Sequence, residues 1–170
     1  MPATTELDLV EMRIAKVVSF GPPLADRARQ FVVLDEVPGD RHLVIEIGEA
    51  EGFFLAARLQ GLEFGRPMTY EFAAGLVRAF GGQLRQVRID RLEQGAYAAM
   101  AEVEGPLGTR LIDARASDAL NLAAALDAAV FASAAMLDDF GQRQDEDLTG
   151  PDLLRLALEV PAMTITRAAP

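Results

Sequence analysis

The 170-residue chain has no cysteine, one histidine (His42) and one lysine (Lys16) among its 16 basic residues. Without cysteine there are no disulfides, no thiolate metal ligands and no cysteine nucleophile, a composition that fits a reducing compartment. The N-terminal Met1-Pro2-Ala3-Thr4-Thr5-Glu6 lacks the basic start and apolar core of a signal peptide. No run approaches the roughly 20 apolar residues of a membrane span. The expectation is a soluble, cytoplasmic protein with no membrane partner. Positive charge is scarce as well, and the net charge of −10 argues against a long footprint on nucleic acid, because such binders gain affinity by replacing counterions with lysine and arginine. Residues 138–170 hold seven acids and three bases, yet the rest of the chain is also acidic. A phosphodiester substrate would have to be met locally, by clustered arginines or by a divalent cation on carboxylates.

What is present suits one domain with an appendage, since 51% of residues are hydrophobic, enough for a sizeable core. Leu7 to Val18 alternates as a long strand, with Leu7, Leu9, Met12 and Ile14 facing inward and an irregularity expected near Val10. Gly21-Pro22-Pro23 ends it in a polar loop. Phe31–Leu34 and His42–Ile47 read as two strands of a hairpin turning at Pro38-Gly39-Asp40. Glu49 to Gln60 then takes helical spacing through Phe53, Phe54, Ala57 and Leu59 and stops at Gly61. In the next helix Thr69 is placed to cap, and Phe72, Leu76, Val77 and Phe80 mark a buried face before Gly81-Gly82. Leu84–Leu92 and Ala96–Val103 form a second hairpin around Glu93-Gln94-Gly95, and Gly105-Pro106-Leu107-Gly108 turns into a strand at Thr109–Asp113.

Leu120, Leu122, Ala123 and Leu126 repeat as a helix, followed by a brief edge strand at Ala129–Phe131 and a short amphipathic turn at 134–140. Gly141 to Gly150 is an acid-rich linker, and Leu153, Leu154, Leu156 and Leu158 make 151–160 a last helix that needs a partner surface, in its own domain or another subunit. The expected fold class is α+β: a mixed, largely antiparallel sheet of hairpins packed by helices over residues 1–140, with a C-terminal helical extension over 141–170.

Chemistry concentrates at Ile112-Asp113-Ala114-Arg115-Ala116-Ser117-Asp118-Ala119-Leu120, where a strand hands over to a helix. Ser117 falls at the expected N-cap and Asp118 in the first turn, ordinary structural places worth roughly 0.5–1 kcal/mol each. Capping does not account for Asp113 and Arg115. At i and i+2 on an extended segment they point the same way, able to pair, hold a neighbouring loop or present a carboxylate to a metal.

Three segments together resemble the bifunctional nuclease domain family of bacterial and plant proteins. Leu43-Val44-Ile45-Glu46-Ile47-Gly48 with Glu51 is similar to that family's Leu-Pro-Ile-Trp-Ile-Gly strand and following Glu. Arg66-Pro67-Met68-Thr69-Tyr70-Glu71 is similar to its Arg-Pro-Leu-Thr-His-Asp, and Asp113-Ala114-Arg115-Ala116-Ser117-Asp118-Ala119 to its Asp-Ala-Arg-Pro-Ser-Asp-Ala. The resemblance spans most of residues 7–137 and implies an α+β fold and, from plant members, cleavage of DNA and RNA. The chain departs from the pattern with Tyr70 for His, Glu71 for Asp, and Val44 and Ala116 for Pro. An unperturbed tyrosine, with a pKa near 10, is a poor general base at neutral pH. His42 begins a strand and reads as a strand-end residue.

Three functional readings follow from the residues. In the first, a metal-dependent phosphodiesterase, Asp113, Asp118 and Glu51 (or Glu71) hold Mg²⁺ or Mn²⁺ while Arg66 or Arg115 steadies a phosphate of a nucleic-acid substrate. The second is a non-catalytic, homo-oligomeric scaffold or regulatory module, with Arg66, Asp113, Arg115 and Asp118 as a structural ion-pair cluster. The third, nucleic-acid binding without cleavage, uses Arg78, Arg85, Arg88 and Arg91, a patch that Asp90 and Glu93 interrupt. Phe53, Phe54, Phe72 and Phe80 are read as packing residues.

Overall fold

Alternating apolar residues pair into hairpins, and in the computed structural model, which describes residues 8–20 and 29–143, they build one eight-stranded sheet. In chain order the elements are β1 (Leu9–Phe20), β2 (Arg29–Glu36), β3 (Arg41–Ile47), α1 (Glu49–Leu59), α2 (Thr69–Ala79), β4 (Gln83–Glu93) and β5 (Ala96–Gly105). They continue with β6 (Gly108–Arg115), α3 (Ala116–Leu126), β7 (Ala129–Ser133), α4 (Ala134–Phe140) and β8 (Gln142–Arg143). Gln94 and Gly95 take positive φ of 50° and 79°, the backbone that a two-residue hairpin loop requires, so Glu93 pairs directly with Ala96.

The strand order is β6-β5-β4-β7-β1-β2-β3-β8, antiparallel throughout except where β7 runs parallel to β4. The α+β class is therefore observed. Residues 129–131, expected at an edge, instead lie in the middle of the sheet, between β4 and β1. The α3 crossover returns the chain there, and five residues of local pattern carry no information about which strands will flank them. The irregularity in β1 falls between Ile14 and Lys16, not near Val10. Of the inward set Met12 is buried and Leu9 and Ile14 partly so, while Leu7 is outside the described residues. The same holds for loop residues 21–28 and for 144–170, where most of the acidic linker and the last helix were expected.

One face of the sheet carries Met12, Val32, Leu34, Leu43, Ile45, Val87, Ile89 and Val130, which form a single buried cluster with Leu55 of α1, Leu120 of α3 and Leu137 of α4. Burying side chains of this size stabilises by roughly 1.5–3 kcal/mol each. Helix α1 packs on β1 and β2, α3 on β4 to β7 and on both α1 and α2, and α4 on β3, β4 and β7. Because β1, β2 and β7 lie between β3 and β4 in the order, a helix that touches both requires the sheet to curl around it. Among the described residues no helix is long and apolar enough to cross a membrane.

The helices turn differently from expectation. Gly52, Leu55 and Ala57 form the buried side of α1, and Phe53 and Leu59 are exposed. A Cβ on Gly52 would stand 3.0 Å from the Gln30 side chain, so close seating on β2 selects the glycine face. In α2 only Ala74 is fully buried, and Phe72, Leu76 and Phe80 are open to solvent. Periodicity identifies an apolar stripe; it does not say whether the rest of the chain covers it.

Candidate functional site

Three helices begin at the same place. Glu51 lies in the first turn of α1, Tyr70 in the first turn of α2, and Arg115 and Asp118 at the start of α3. Strand β6 ends at Arg115 and α3 starts at Ala116, so the chain passes from sheet to helix without a loop. This moves the cap: Arg115, in extended geometry and with no side-chain cap bond, occupies the N-cap position expected for Ser117. Ser117 is inside the first turn and buried. Met68 likewise takes the N-cap of α2, and Thr69 is its first helical residue.

Asp118 is thereby freed from capping and binds side chains. Tyr70 Oη donates to its Oδ1 at 2.8 Å, Arg115 Nε to its Oδ2 at 2.8 Å, and Arg115 Nη2 to its Oδ1 at 3.1 Å. Arg115 Nη2 also donates to Glu51 Oε1 at 2.9 Å. The guanidinium thus bridges two carboxylates from different helices, yet its side chain is 67% exposed while Glu51 is 17% exposed. Asn121 secures the arrangement from below: its buried Nδ2 donates to the Glu51 carbonyl at 3.1 Å and to the Ser117 carbonyl at 3.0 Å.

The electrostatics follow from these partners. Burial acts to raise the Asp118 carboxyl, but hydrogen bonds from Arg115 and Tyr70 and the charge of Arg115 outweigh it, and the group is held below the usual carboxylate range. Tyr70 moves the other way. Burial first, then its hydrogen bond to Asp118 and the negative charges of Asp118 and Glu51, push the phenol well above its ordinary value. At neutral pH the cluster holds an ionised Asp118, a protonated Tyr70 and a charged Arg115.

The remaining predicted site residues stand apart from this cluster. Asp113 is exposed on β6 and pairs with Arg91 of β4 at 3.0 Å, not with Arg115. Arg91 also meets Asp90 at 3.1 Å and Glu93 at 2.6 Å. Arg66 is exposed in the turn before α2, with no side-chain ion pair among the described residues. Glu71 accepts from the Met68 backbone N–H at 3.1 Å and pairs with Arg58, which ties α2 to α1. Among the described residues no three carboxylate or histidine groups are arranged to hold a metal ion. The two carboxylates that do converge, Glu51 and Asp118, have Arg115 between them, so the donor set as folded does not fit Mg²⁺ or Mn²⁺. In the basic patch, Arg85 is matched by Glu104 and Arg88 by Asp90 at 3.4 Å, which leaves little net positive charge there.

Sequence reasoning found Glu51, Arg115 and Asp118 but missed Asn121, whose signal was a lone amide in an otherwise Leu- and Ala-rich helix. It also treated Tyr70 only as a departure from a pattern, although the phenol is a direct partner of Asp118.

A family model described as the bifunctional nuclease domain matches residues 32–145. Two proteins from different strains of Mycobacterium tuberculosis, Uncharacterized protein MT1877 and Uncharacterized protein Rv1829, are each 31% identical over 122 residues, covering 69% of this chain and 73% of the relative. Their names assign no activity.

Proposed function

This chain belongs to the bifunctional nuclease domain family, and on that premise we propose that it hydrolyses phosphodiester bonds of DNA or RNA at the Tyr70–Asp118–Arg115–Glu51 cluster. One observation carries the reading. The three segments singled out in the sequence, separated by 14 and 41 residues, send Glu51, Tyr70, and Arg115 with Asp118 into one hydrogen-bonded group. Packing alone does not require a guanidinium, a phenol and two carboxylates to converge on a partly open surface.

The chemistry assigned to each group follows its protonation state. Arg115, the exposed member, is the fork that meets phosphate oxygens in place of one carboxylate. Water adds to phosphorus as its proton passes to the ionised Asp118, the P–O bond to one sugar breaks, and the departing alkoxide is protonated by solvent. Tyr70, kept protonated, holds Asp118 in position, and the positive ends of three helix dipoles favour the incoming anion. No step is assigned to a metal.

The test is cleavage of labelled single-stranded DNA and RNA by purified protein with Mg²⁺, Mn²⁺ or EDTA, beside Asp118→Asn. Loss of a positioned general base is expected to lower the rate by about 100-fold or more. Equal cleavage by the variant identifies a contaminant and contradicts the reading. A second reading, a non-catalytic oligomeric module, is supported by the exposed apolar surface of Phe53, Leu59, Leu62, Phe72, Leu76 and Phe80, a kind of patch that commonly marks a protein interface.

A further inference from the structure

Four aromatic rings meet beside the candidate site. The ring centres of Phe53 and Phe54 on α1 lie 5.5 Å apart, Phe64 in the turn after α1 lies 6.0 Å from the first and 6.3 Å from the second, and Tyr70 lies 5.8 Å from Phe54. Interplanar angles of 48° to 75° make every contact edge-on or tilted, the arrangement that ring quadrupoles favour. Phe54, Phe64 and Tyr70 are partly buried, whereas Phe53 is 56% exposed. Helical spacing predicts Phe53 to be a packing residue, but Gly52 and Leu55 take the inward side of α1 and leave this ring at the surface. Two neighbouring rings thus hold Phe53 in place without covering it. Phe72 and Phe80 of α2 are exposed too, yet among the described residues they make no ring contact, so they stand outside this group.

We propose that Phe53 is a subsite for one unpaired base of a nucleic-acid strand whose phosphate is held at Arg115. The proposal rests on the phosphodiester reading of the Tyr70–Asp118–Arg115–Glu51 cluster and adds to it the part of the substrate that carries no charge. Position supports this occupant. Two steps between ring centres, of 5.5 and 5.8 Å, lead from Phe53 through Phe54 to Tyr70, whose hydroxyl is bonded to Asp118, the partner of Arg115. A base one or two nucleotides along the strand from a phosphate at Arg115 covers such a span. Chemistry supports it as well. The chain is acidic, and on the turn after α1 the exposed Glu63 offsets the exposed Arg66, so charge alone does not hold a strand on this surface. Stacking on an aromatic ring needs no charge, and every base has a face to offer. A ring already fixed by its neighbours also loses little freedom when a base settles on it. Bases of a duplex are paired and stacked on one another, so this subsite selects single strands.

Because the protein has no tryptophan, Phe53→Trp places a single fluorescent reporter at this position in the full-length chain. Its emission is expected to be quenched by a single-stranded DNA oligonucleotide, but not by an abasic strand of the same length and charge. Phe53→Leu, which keeps an apolar side chain and loses the ring, is expected to need about 10-fold more protein than wild type to half-saturate a dye-labelled strand in fluorescence anisotropy, and the difference is expected to vanish on the abasic strand. Absence of quenching, equal quenching by the intact and abasic strands, or unchanged affinity of Phe53→Leu overturns the proposal. Tryptophan emission that shifts with protein concentration alone overturns it as well, since a second copy of the chain then covers the ring. Cleavage read in the same samples keeps the two claims apart. Quenching and the 10-fold loss without hydrolysis leave the base subsite standing and contradict the phosphodiesterase reading, whereas hydrolysis indifferent to Phe53 contradicts the subsite alone.

Discussion

Asp118 and Tyr70 define the chemistry at the scale of single residues because their hydrogen bond, 2.8 Å long, fixes opposite protonation behaviour in two neighbours. The native Asp118 carboxyl titrates below its ordinary value of 3.8, so the stability it contributes is fully present above that value and is lost as pH falls through the native pKa. Asp118→Asn is therefore expected to flatten the acid side of a stability–pH curve measured by denaturant unfolding. A curve unchanged by the substitution would show that Arg115 and Tyr70 do not hold the charge. Tyrosine ionisation is shifted upward: Tyr70 by burial and its acidic neighbours, and Tyr97 by burial, to about 12. Ultraviolet titration of the native protein should show neither phenol ionising near pH 10, and unfolding should return both to that range. Glu51, Arg115 and Asp118 were legible in the sequence because charges crowd at helix starts. The partner of Asp113 was not, since Arg91 reaches it from two strands away, and strand order is not written in the β6 segment itself.

Elements meet at the site through α1 and α3, and Asn121 is the link between them. Its two hydrogen bonds to the Glu51 and Ser117 carbonyls are buried or partly buried and add to the backbone bonds those helical carbonyls already accept, so Asn121→Ala removes the link between the two helices and is expected to cost about 0.5–1.5 kcal/mol. Urea denaturation reads this directly, and a change within error would mean that α3 is held by packing alone. The hairpins were readable from period-two alternation and turn residues such as Gln94-Gly95, and the helices from their spacing and glycine stops. Their orientation was not. Phe72, Leu76 and Phe80 repeat as a core stripe does, but α2 turns small Ala74 inward and leaves them exposed. Burial is decided by what the rest of the chain brings, and no local pattern contains that.

The whole molecule combines a net charge of −10 with an open apolar surface on α1 and α2, two properties that point toward different partners. The charge argues against holding nucleic acid along an extended surface, so the substrate proposed here would be met locally, at the cluster; the apolar patch suits a protein. If that patch joins subunits, Phe72→Glu with Leu76→Glu is expected to lower the mass found by sedimentation to that of one 18.3 kDa chain without altering the Tyr70–Asp118 cluster. An unchanged mass removes the patch from the assembly. Fold class was legible at this scale, because alternating hairpins and helices leave few architectures. The position of β7 depends on contacts across the full sheet. The account rests on the cluster as the place where phosphate is engaged, and one comparison tests this most directly: the cleavage rate of labelled single-stranded RNA by wild-type protein and by Arg115→Ala, both verified as folded by circular dichroism. Loss of cleavage in Arg115→Ala with the fold retained is the predicted result. Undiminished, protein-dependent cleavage by Arg115→Ala would contradict it and move the search for the site elsewhere on the sheet.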